Sequence, residues 1–148
     1  QISAKFTIAV HLLTAVAYFS ESQKVTSDFL AGSIGSNPVI IRNIMGQLKE
    51  AGLIDIKRGP GGVTLEKKLT DISFLDIYKA VETNSEEVLF RFHENPNPLC
   101  PIGRTIHKSL DGALEEIQKN FEVELSKWTL ADVYENSLEE LRKEKQNE

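Results

Sequence analysis

The stretch NPVIIRNIMGQLKEAGLIDIKRGPGGVTL, residues 37–65, decides the fold class of this 148-residue chain. Asn37 is a good helix N-cap and Pro38 suits the first helical position, so a helix is predicted from Pro38 to about Ala51, ending at Gly52. LIDIK then alternates apolar and polar residues, RGPGG is typical of a turn, and VTL resumes the strand. The stretch therefore predicts a helix followed by a β-hairpin over residues 53–65.

This predicted helix has two different faces. Taking 100° per residue, the side that can pack is formed by Ile41, Ile44, Met45 and Leu48. The opposite side is formed by Val39, Arg42, Asn43, Gly46 and Glu50, with Gln47 at its border and Ile40 at the edge of the core. One face is predicted to pack, and the other is free to be presented to a partner.

The neighbouring segments complete a recognisable order of elements. Apolar residues at helical spacing predict a first helix over residues 3–20, and TSDFLAGSI predicts a second short helix with Thr26 and Ser27 as N-caps and Gly35 as its stop. A turn of about three residues separates it from the helix at Pro38. SFLDIYKAV predicts a fourth helix over residues 73–81. Two helices on a tight turn followed by a Gly-rich hairpin are the layout of a winged helix-turn-helix.

The C-terminal part of the chain has a different character. HENPNPLCP contains three prolines and predicts an ordered loop or linker. A long apolar stripe then predicts a helix from Pro101, which would bury that stripe on a partner helix. Thr129 is expected to cap a last segment that fades into charge and frays. The predicted architecture is mostly α with a small β-hairpin: a winged helix-turn-helix domain at 1–82, a loop at 83–100, and a dimerisation helix with a helical tail at 101–148.

The charge is distributed unevenly along the chain. The net charge is −5, but residues 1–68 hold eight Lys/Arg against five Asp/Glu, whereas residues 69–148 hold nine against seventeen. The net positive charge is confined to the first half of the chain, which could therefore attract a phosphate backbone. No apolar run reaches the roughly 18 residues that span a bilayer, so neither a membrane helix nor a signal peptide is expected. We expect a cytoplasmic protein.

The glycines of RGPGG raise the alternative of a nucleotide-binding loop. A dinucleotide fingerprint leads from a strand into a helix, and a P-loop needs Gly-Lys-Ser/Thr opening a helix. A strand follows here, so the segment is predicted to be a hairpin tip instead. Glycines allow positive φ there, and Lys57 and Arg58 supply charge for phosphates or a narrow minor groove.

Several segments together resemble the Rrf-two family of bacterial winged-helix transcription regulators, and in particular its cysteine-poor, YwnA-like branch. The matching segments cover nearly the whole chain and are ISAKFTIAVHLL, NPVIIRNIMGQLKEAGLI, KRGPGG, DISFLDIYKAVE and HENPNPLCPIG. The resemblance implies a homodimer held by the long helix, binding to double-stranded DNA at a palindromic operator, and usually repression.

Candidate site residues follow from the resemblance and from the helical wheel. The resemblance places Val39, Ile40, Arg42 and Asn43 against bases and Arg58 with Gly59 at the wing tip. Arg42 is the strongest candidate, because a guanidinium can bond a guanine edge at two positions. Predicted phosphate contacts are Thr26, Ser27 and Lys49, although Lys49 could equally belong to a solvated face. Gln47 and Lys57 complete the predicted DNA-binding set. The predicted dimerisation residues are Ile102, Ile106, Leu110, Leu114, Ile117 and Phe121.

Cys100 is the only cysteine in the sequence. Because cluster-binding members of the resembled family carry three cysteines in this region, no iron–sulfur cluster and no other cofactor is predicted. Cys100 precedes the predicted long helix, whose N-terminus and Arg104 would favour a thiolate. A redox- or electrophile-sensing thiol and a shielded structural cysteine both stay open. With His93 and His107 it would form an underfilled metal site, so no metal is predicted. His11 is expected in the core or at an interface.

Enzyme activity is not predicted, because no paired carboxylates or assured nucleophile–base pair form a catalytic pattern. The leading hypothesis is a sequence-specific DNA-binding regulator that acts as a homodimer. Two alternatives stay open: a helix-dimerised protein-interaction module, or a metal- or small-molecule-dependent sensor of the same fold.

Overall fold

The computed structural model describes residues 3–57, 62–82, 89–90 and 92–147. The helices and strands follow in the order α1 (Lys5–Phe19), α2 (Ser27–Ile34), α3 (Pro38–Glu50), β1 (Ile54–Lys57), β2 (Gly62–Leu65), a 3-10 turn (Leu69–Asp71), α4 (Phe74–Val81), α5 (Ile106–Ser126) and α6 (Leu130–Gln146). The predicted order of three helices, a hairpin, a fourth helix and a long helix is confirmed.

One hydrophobic core connects the helices of the winged part with the start of α6. It takes fully buried side chains from α1, α2, α3, α4, the segment before α4 and the start of α6, namely Leu12, Leu13, Val16, Leu30, Ile41, Ile44, Leu48, Ile72, Ile77 and Leu130. The four predicted packing residues of α3 are all in this core. Burial of this stripe fixes the rotation of α3 about its axis, and hence which side of α3 faces outward.

The hairpin is a two-stranded antiparallel sheet in which Ile54 pairs with Leu65 and Lys57 pairs with Gly62. Its second strand is tied to the connection between α1 and α2, because the Val63 N–H donates to the Val25 carbonyl at 2.9 Å. Gly62 has a φ of +63°, and a Cβ there would lie 2.7 Å from the Val25 oxygen. Glycine is therefore required at position 62 for the hairpin to lie this close to the body.

α4 and α6 are joined by main-chain hydrogen bonds. The Leu130 N–H donates to the Ile72 carbonyl and the Phe74 N–H donates to the Trp128 carbonyl, both at 2.8 Å. These bonds dock the start of α6 beside the start of α4, and α6 then packs along α1. The tail that was expected to fray is a helix as far as Gln146. Thr129 caps it as predicted, in a reciprocal pair with Asp132.

α5 lies outside the core, as expected, and none of its residues is fully buried. It leans on α4, where the rings of Phe121 and Tyr78 meet edge to face at 5.5 Å. At its end Lys127 donates to the Glu124 carboxylate at 3.1 Å, and this hydrogen bond lowers the pKa of Glu124. The Glu124–Lys127 pair is exposed and contributes little to stability.

Among the residues covered by the structure, no helix is both long and apolar enough to cross a membrane.

Candidate nucleic-acid interface

The turn between α2 and α3 is fixed by local capping. The Thr26 hydroxyl accepts from the Phe29 N–H at 3.1 Å, and the Asn37 side chain accepts from the Val39 N–H at 2.8 Å. Gly35 ends α2 with a φ of +76°, a left-handed conformation that glycine adopts without strain. All three features are readable from the sequence; Thr26 fixes the start of α2, and Gly35 and Asn37 set how α3 leaves the turn.

The outward side of α3 is open to solvent. Val39 and Ile40 are 53% and 44% exposed, and Arg42 and Asn43 are exposed beside them. The helical wheel placed Ile40 at the edge of the core, whereas in the structure Ile40 is exposed together with Val39, Arg42 and Asn43. Ile40 lies in the first turn of α3, where the helix has only begun to pack against the body. We call Val39, Ile40, Arg42 and Asn43 the open face of α3.

Three other predicted DNA contacts lie in less open positions. Thr26 and Ser27 are half-buried at the start of α2, and the Thr26 hydroxyl is engaged in its cap. Gln47 is half-buried and lines a cleft with Lys79 and Ala80. Gln47 therefore points toward α4 more than toward the open face. Lys49, by contrast, is exposed near the end of α3.

The wing is fixed to the body of the protein through its base. Lys57 is exposed at the end of β1, opposite Gly62. The predicted tip residues Arg58 and Gly59 lie outside the described residues. The anchoring of β2 on Val25 fixes the base of the hairpin at the connection between α1 and α2, so the orientation of the wing is set by main-chain contacts.

Lys24 is a cation that sequence reasoning missed. It is exposed, and its Cγ would lie 3.0 Å from a Cβ at Gly62, which puts its stem against the base of the wing. A lysine two residues before a helix cap is a weak signal by itself. Its position becomes meaningful only once the hairpin is known to pack on this connection.

The basic side chains of this surface are not neutralised by the rest of the protein. Within the ranges given above, Lys24, Arg42, Lys49 and Lys57 form no ion pair. The salt bridges that are present there lie in the α5–α6 region, between neighbours three residues apart. The winged side therefore presents positive charge that an external polyanion can pair with.

The predicted dimerisation residues form one apolar stripe but differ in exposure. Ile102, Leu110 and Ile117 are exposed, whereas Leu114 and Phe121 are half-buried and Phe121 contacts Tyr78 of the same chain. Ile106 is half-buried at the first position of α5, and Ile102 lies in the turns before it. Leu110 and Ile117 are thus the residues of the stripe within α5 that the described part of the chain leaves exposed.

Cys100 lies in an ordered loop and not at a helix end. Its N–H donates to the Asn97 carbonyl at 3.1 Å, and its own carbonyl accepts from the Arg104 N–H at 3.0 Å. α5 begins only at Ile106, so the expected position of Cys100 at the N-terminus of the long helix is wrong. Residues 101–105 form turns, and a Cβ at Gly103 would lie 2.6 Å from the Asn97 carbonyl oxygen. The thiol is exposed.

Of the three histidines, His11 and His93 are exposed and His107 is half-buried in the first turn of α5. The His107 Nε2 lies 3.1 Å from the His93 carbonyl oxygen, and its ring stacks on Phe92 with centroids 4.4 Å apart. These contacts hold the loop against α5. His11 is exposed and lies 3.1 Å from the Ser33 hydroxyl, so the expectation of a core position for His11 is wrong.

Comparison with known proteins gives this surface a context. The profile of the Rrf2 family, described as iron-dependent transcriptional regulators, matches residues 2–136. The chain belongs to the Rrf2 family. YwnA of Bacillus subtilis (strain 168), named as an HTH-type transcriptional regulator, is 38% identical over 132 residues, which is 89% of this chain and 96% of YwnA.

Solved structures share the fold of this Rrf2 protein. One from Lactobacillus plantarum, named as a transcriptional regulator, has a TM-score of 0.73 at 24% identity and covers 99% of this chain and 100% of its own. IscR of T. potens has a TM-score of 0.65 at 23% identity, and the match covers 93% of this chain and 88% of the IscR chain. The winged helix-turn-helix fold is confirmed, and the protein is a transcriptional regulator with a DNA-binding fold and not an enzyme.

Because the description of the Rrf2 family names iron, residues of this chain that could bind iron are of interest. Among the residues that the structure covers, no group of three or more His, Cys, Asp and Glu side chains is placed to hold a metal ion. Cys100 is the single cysteine of the sequence, whereas iron–sulfur clusters are ordinarily held by several thiolates. The residues of this chain do not fit a cluster, and the absence of a cofactor stays a prediction.

Proposed function

We propose that this Rrf2 protein is a homodimeric repressor that reads a palindromic operator with the open face of α3. The observation that carries the proposal is the exposed Arg42 beside Asn43, without an ion pair among the described residues, in a helix whose opposite side is buried in the core. A helix of this kind fits the major groove, where arginine bonds guanine and asparagine bonds adenine. Lys49 in the same helix, and Lys24 and Lys57 at the base of the wing, are exposed and would supply phosphate contacts.

Dimerisation is proposed through the exposed side of α5. Leu110 and Ile117 are one helical stripe, and burying them against the same stripe of a second copy would remove exposed apolar surface from water. A two-fold dimer would present two copies of α3 to half-sites about one helical turn apart. Binding at a site that overlaps a promoter would then repress transcription in the cytoplasm.

The proposal is tested on DNA selected by the protein itself. Random DNA duplexes are selected in rounds of binding to the full-length protein. The affinity of the protein for the selected site is then measured by fluorescence anisotropy. We expect Arg42→Ala to weaken binding by about 5- to 150-fold, the range for loss of one bidentate base contact. Lys119→Ala, which removes an exposed cation of α5, is the matched control and should change affinity little. Failure to enrich any sequence would contradict the proposal.

We also propose that Cys100 makes DNA binding sensitive to oxidants. The exposure of the thiol, and not a helix dipole, supports this part of the proposal, because access favours oxidation and electrophile addition. The loop that carries it lies directly before α5, so a modified thiol could shift the long helix. Operator affinity should change after peroxide treatment and return after reduction, and Cys100→Ser should abolish the response. An identical response in Cys100→Ser would exclude this thiol as the sensor.

A further inference from the structure

The first turn of α3 carries two aliphatic side chains that the core does not use. Val39 and Ile40 are about half exposed, whereas Ile41, Ile44 and Leu48 in the same helix are fully buried. Single exposed aliphatic residues are common and need no explanation. Two adjacent ones within the open face of α3 call for a partner that offers apolar groups there.

Their neighbours restrict what that partner is. Val39 lies one turn before Arg42 and Asn43, and Ile40 lies one turn before Asn43, so the apolar pair and the polar pair form one continuous surface. Lys49 is exposed two turns beyond Arg42 in the same helix, and Lys24 and Lys57 are exposed elsewhere on the winged part; none of the three has an ion pair within the described part of the chain. A surface that combines apolar groups with unpaired basic side chains suits the floor of a phosphate-lined groove better than it suits an apolar protein surface.

The major groove offers one apolar group on its base edges, the C5-methyl group of thymine. We propose that Val39 and Ile40 contact thymine methyl groups, so that each half-site carries thymine next to the bases bonded by Arg42 and Asn43. This inference rests on the proposed DNA-binding function and adds the chemistry of the half-site. Guanine and adenine are read by hydrogen bonds, and thymine is read by burial of its methyl group.

The expected size of the effect follows from burial. Removing one methyl group from an apolar contact lowers affinity about fourfold, from the transfer free energy of a buried methylene. Replacing thymine by uracil removes that methyl group and leaves the hydrogen-bonding edge of the base unchanged. The substitution therefore isolates the proposed contact from the contacts of Arg42 and Asn43.

The experiment uses the full-length protein and the duplex that it selects. Each thymine of one half-site is replaced in turn by uracil, and affinities are measured for the wild type and for the Val39→Ala, Ile40→Ala and doubly substituted proteins. We expect uracil to weaken wild-type binding about fourfold at one or two positions. At those positions the doubly substituted protein should show little or no further loss.

Val123→Ala is the matched control, because Val123 is an aliphatic residue of α5 that is 50% exposed. This variant should keep the full sensitivity to uracil. Val39 and Ile40 are outside the core, so their alanine variants are expected to fold, which circular dichroism and thermal unfolding verify.

Three results would overturn the inference in distinguishable ways. Equal wild-type affinity for thymine and uracil at every position would show that no methyl group is read. An equal loss in the wild type and the doubly substituted protein would show that other residues read it. If no sequence is selected at all, the proposed DNA-binding function fails and the inference fails with it.

Discussion

A glycine in the interior of α3 is informative at the scale of single residues. Gly46 is exposed, and a Cβ at this position would meet nothing within 4 Å. Glycine inside a helix costs about 1 kcal/mol relative to alanine, so the packing of the chain itself gives no reason for it. Gly46 lies one turn beyond Arg42 and Asn43, on the side of α3 that we assign to DNA. Close approach of the helix backbone to a partner would explain the missing side chain.

Gly46→Ala is therefore expected to have opposite effects on stability and binding. The free energy of unfolding should rise by roughly 0.5–1 kcal/mol, because alanine favours the helix. Affinity for the selected operator should fall, because the added methyl group holds the backbone away from the groove. Urea unfolding and anisotropy measure the two quantities.

Gly112→Ala provides the control for this prediction. Gly112 lies in α5, is exposed, and likewise has no atom within 4 Å of a Cβ at its position. Its variant should gain similar stability and keep wild-type affinity. If Gly46→Ala binds the operator as tightly as the wild type does, position 46 does not approach DNA.

Local signals made part of the site predictable at this scale. Asn37 and Thr26 were expected to cap helices, and each accepts the expected main-chain hydrogen bond. The helical wheel did not predict the exposure of Ile40, although the family resemblance did, and the location of Lys24 beside the wing was not predicted. Both depend on contacts between segments distant in sequence, which periodicity and capping rules do not contain.

At the scale of elements, α5 shows what a hydrophobic stripe cannot specify. The predicted stripe of Ile102 to Phe121 lies on one side of the helix, but the same chain covers only part of it. Phe121 packs on Tyr78 of α4, whereas Leu110 and Ile117 stay exposed. A helical wheel gives the apolar side of a helix but not which part of that side the same chain covers.

The division of α5 makes dimerisation separable from folding. Ile117→Glu should convert a dimer into a monomer, because it places a charge in the centre of the proposed interface. The helical content should change little, since Ile117 is 46% exposed within one chain. Sedimentation velocity measures the mass and circular dichroism measures the fold.

Lys119→Glu on another side of α5 is the control and should leave the dimer intact. Operator affinity of Ile117→Glu should also fall, because one recognition helix loses the benefit of its linked partner. A dimer that persists in Ile117→Glu at micromolar concentration would place the interface elsewhere.

At the scale of the whole molecule, the C-terminal part shares a hydrophobic core with the winged part. Leu130, far beyond the predicted end of the first domain, is fully buried in the common core. Its main-chain bond to Ile72 forms between segments 58 residues apart. Such a pairing has no local sequence signature, so the sequence predicted Thr129 as a cap but not the docking of α6. The domain boundaries at 82 and 100 stay predictions.

This architecture links the DNA-facing side to the proposed dimer interface. α4 contacts both α3 and α5, so a displacement of α5 can reach the recognition helix through α4. The basic charge of residues 1–68 and the acidic charge of residues 69–148 also orient the molecule with its winged side toward a polyanion.

The central claim is that the open face of α3 is the surface that lies in the groove. An NMR titration of the full-length protein with the selected operator duplex tests it most directly, because amide signals report contact residue by residue. We expect the largest shifts at Val39 to Gly46, with further shifts at Lys24 and Lys57. Shifts confined to α5 and α6, with the signals of α3 unmoved, would contradict the account.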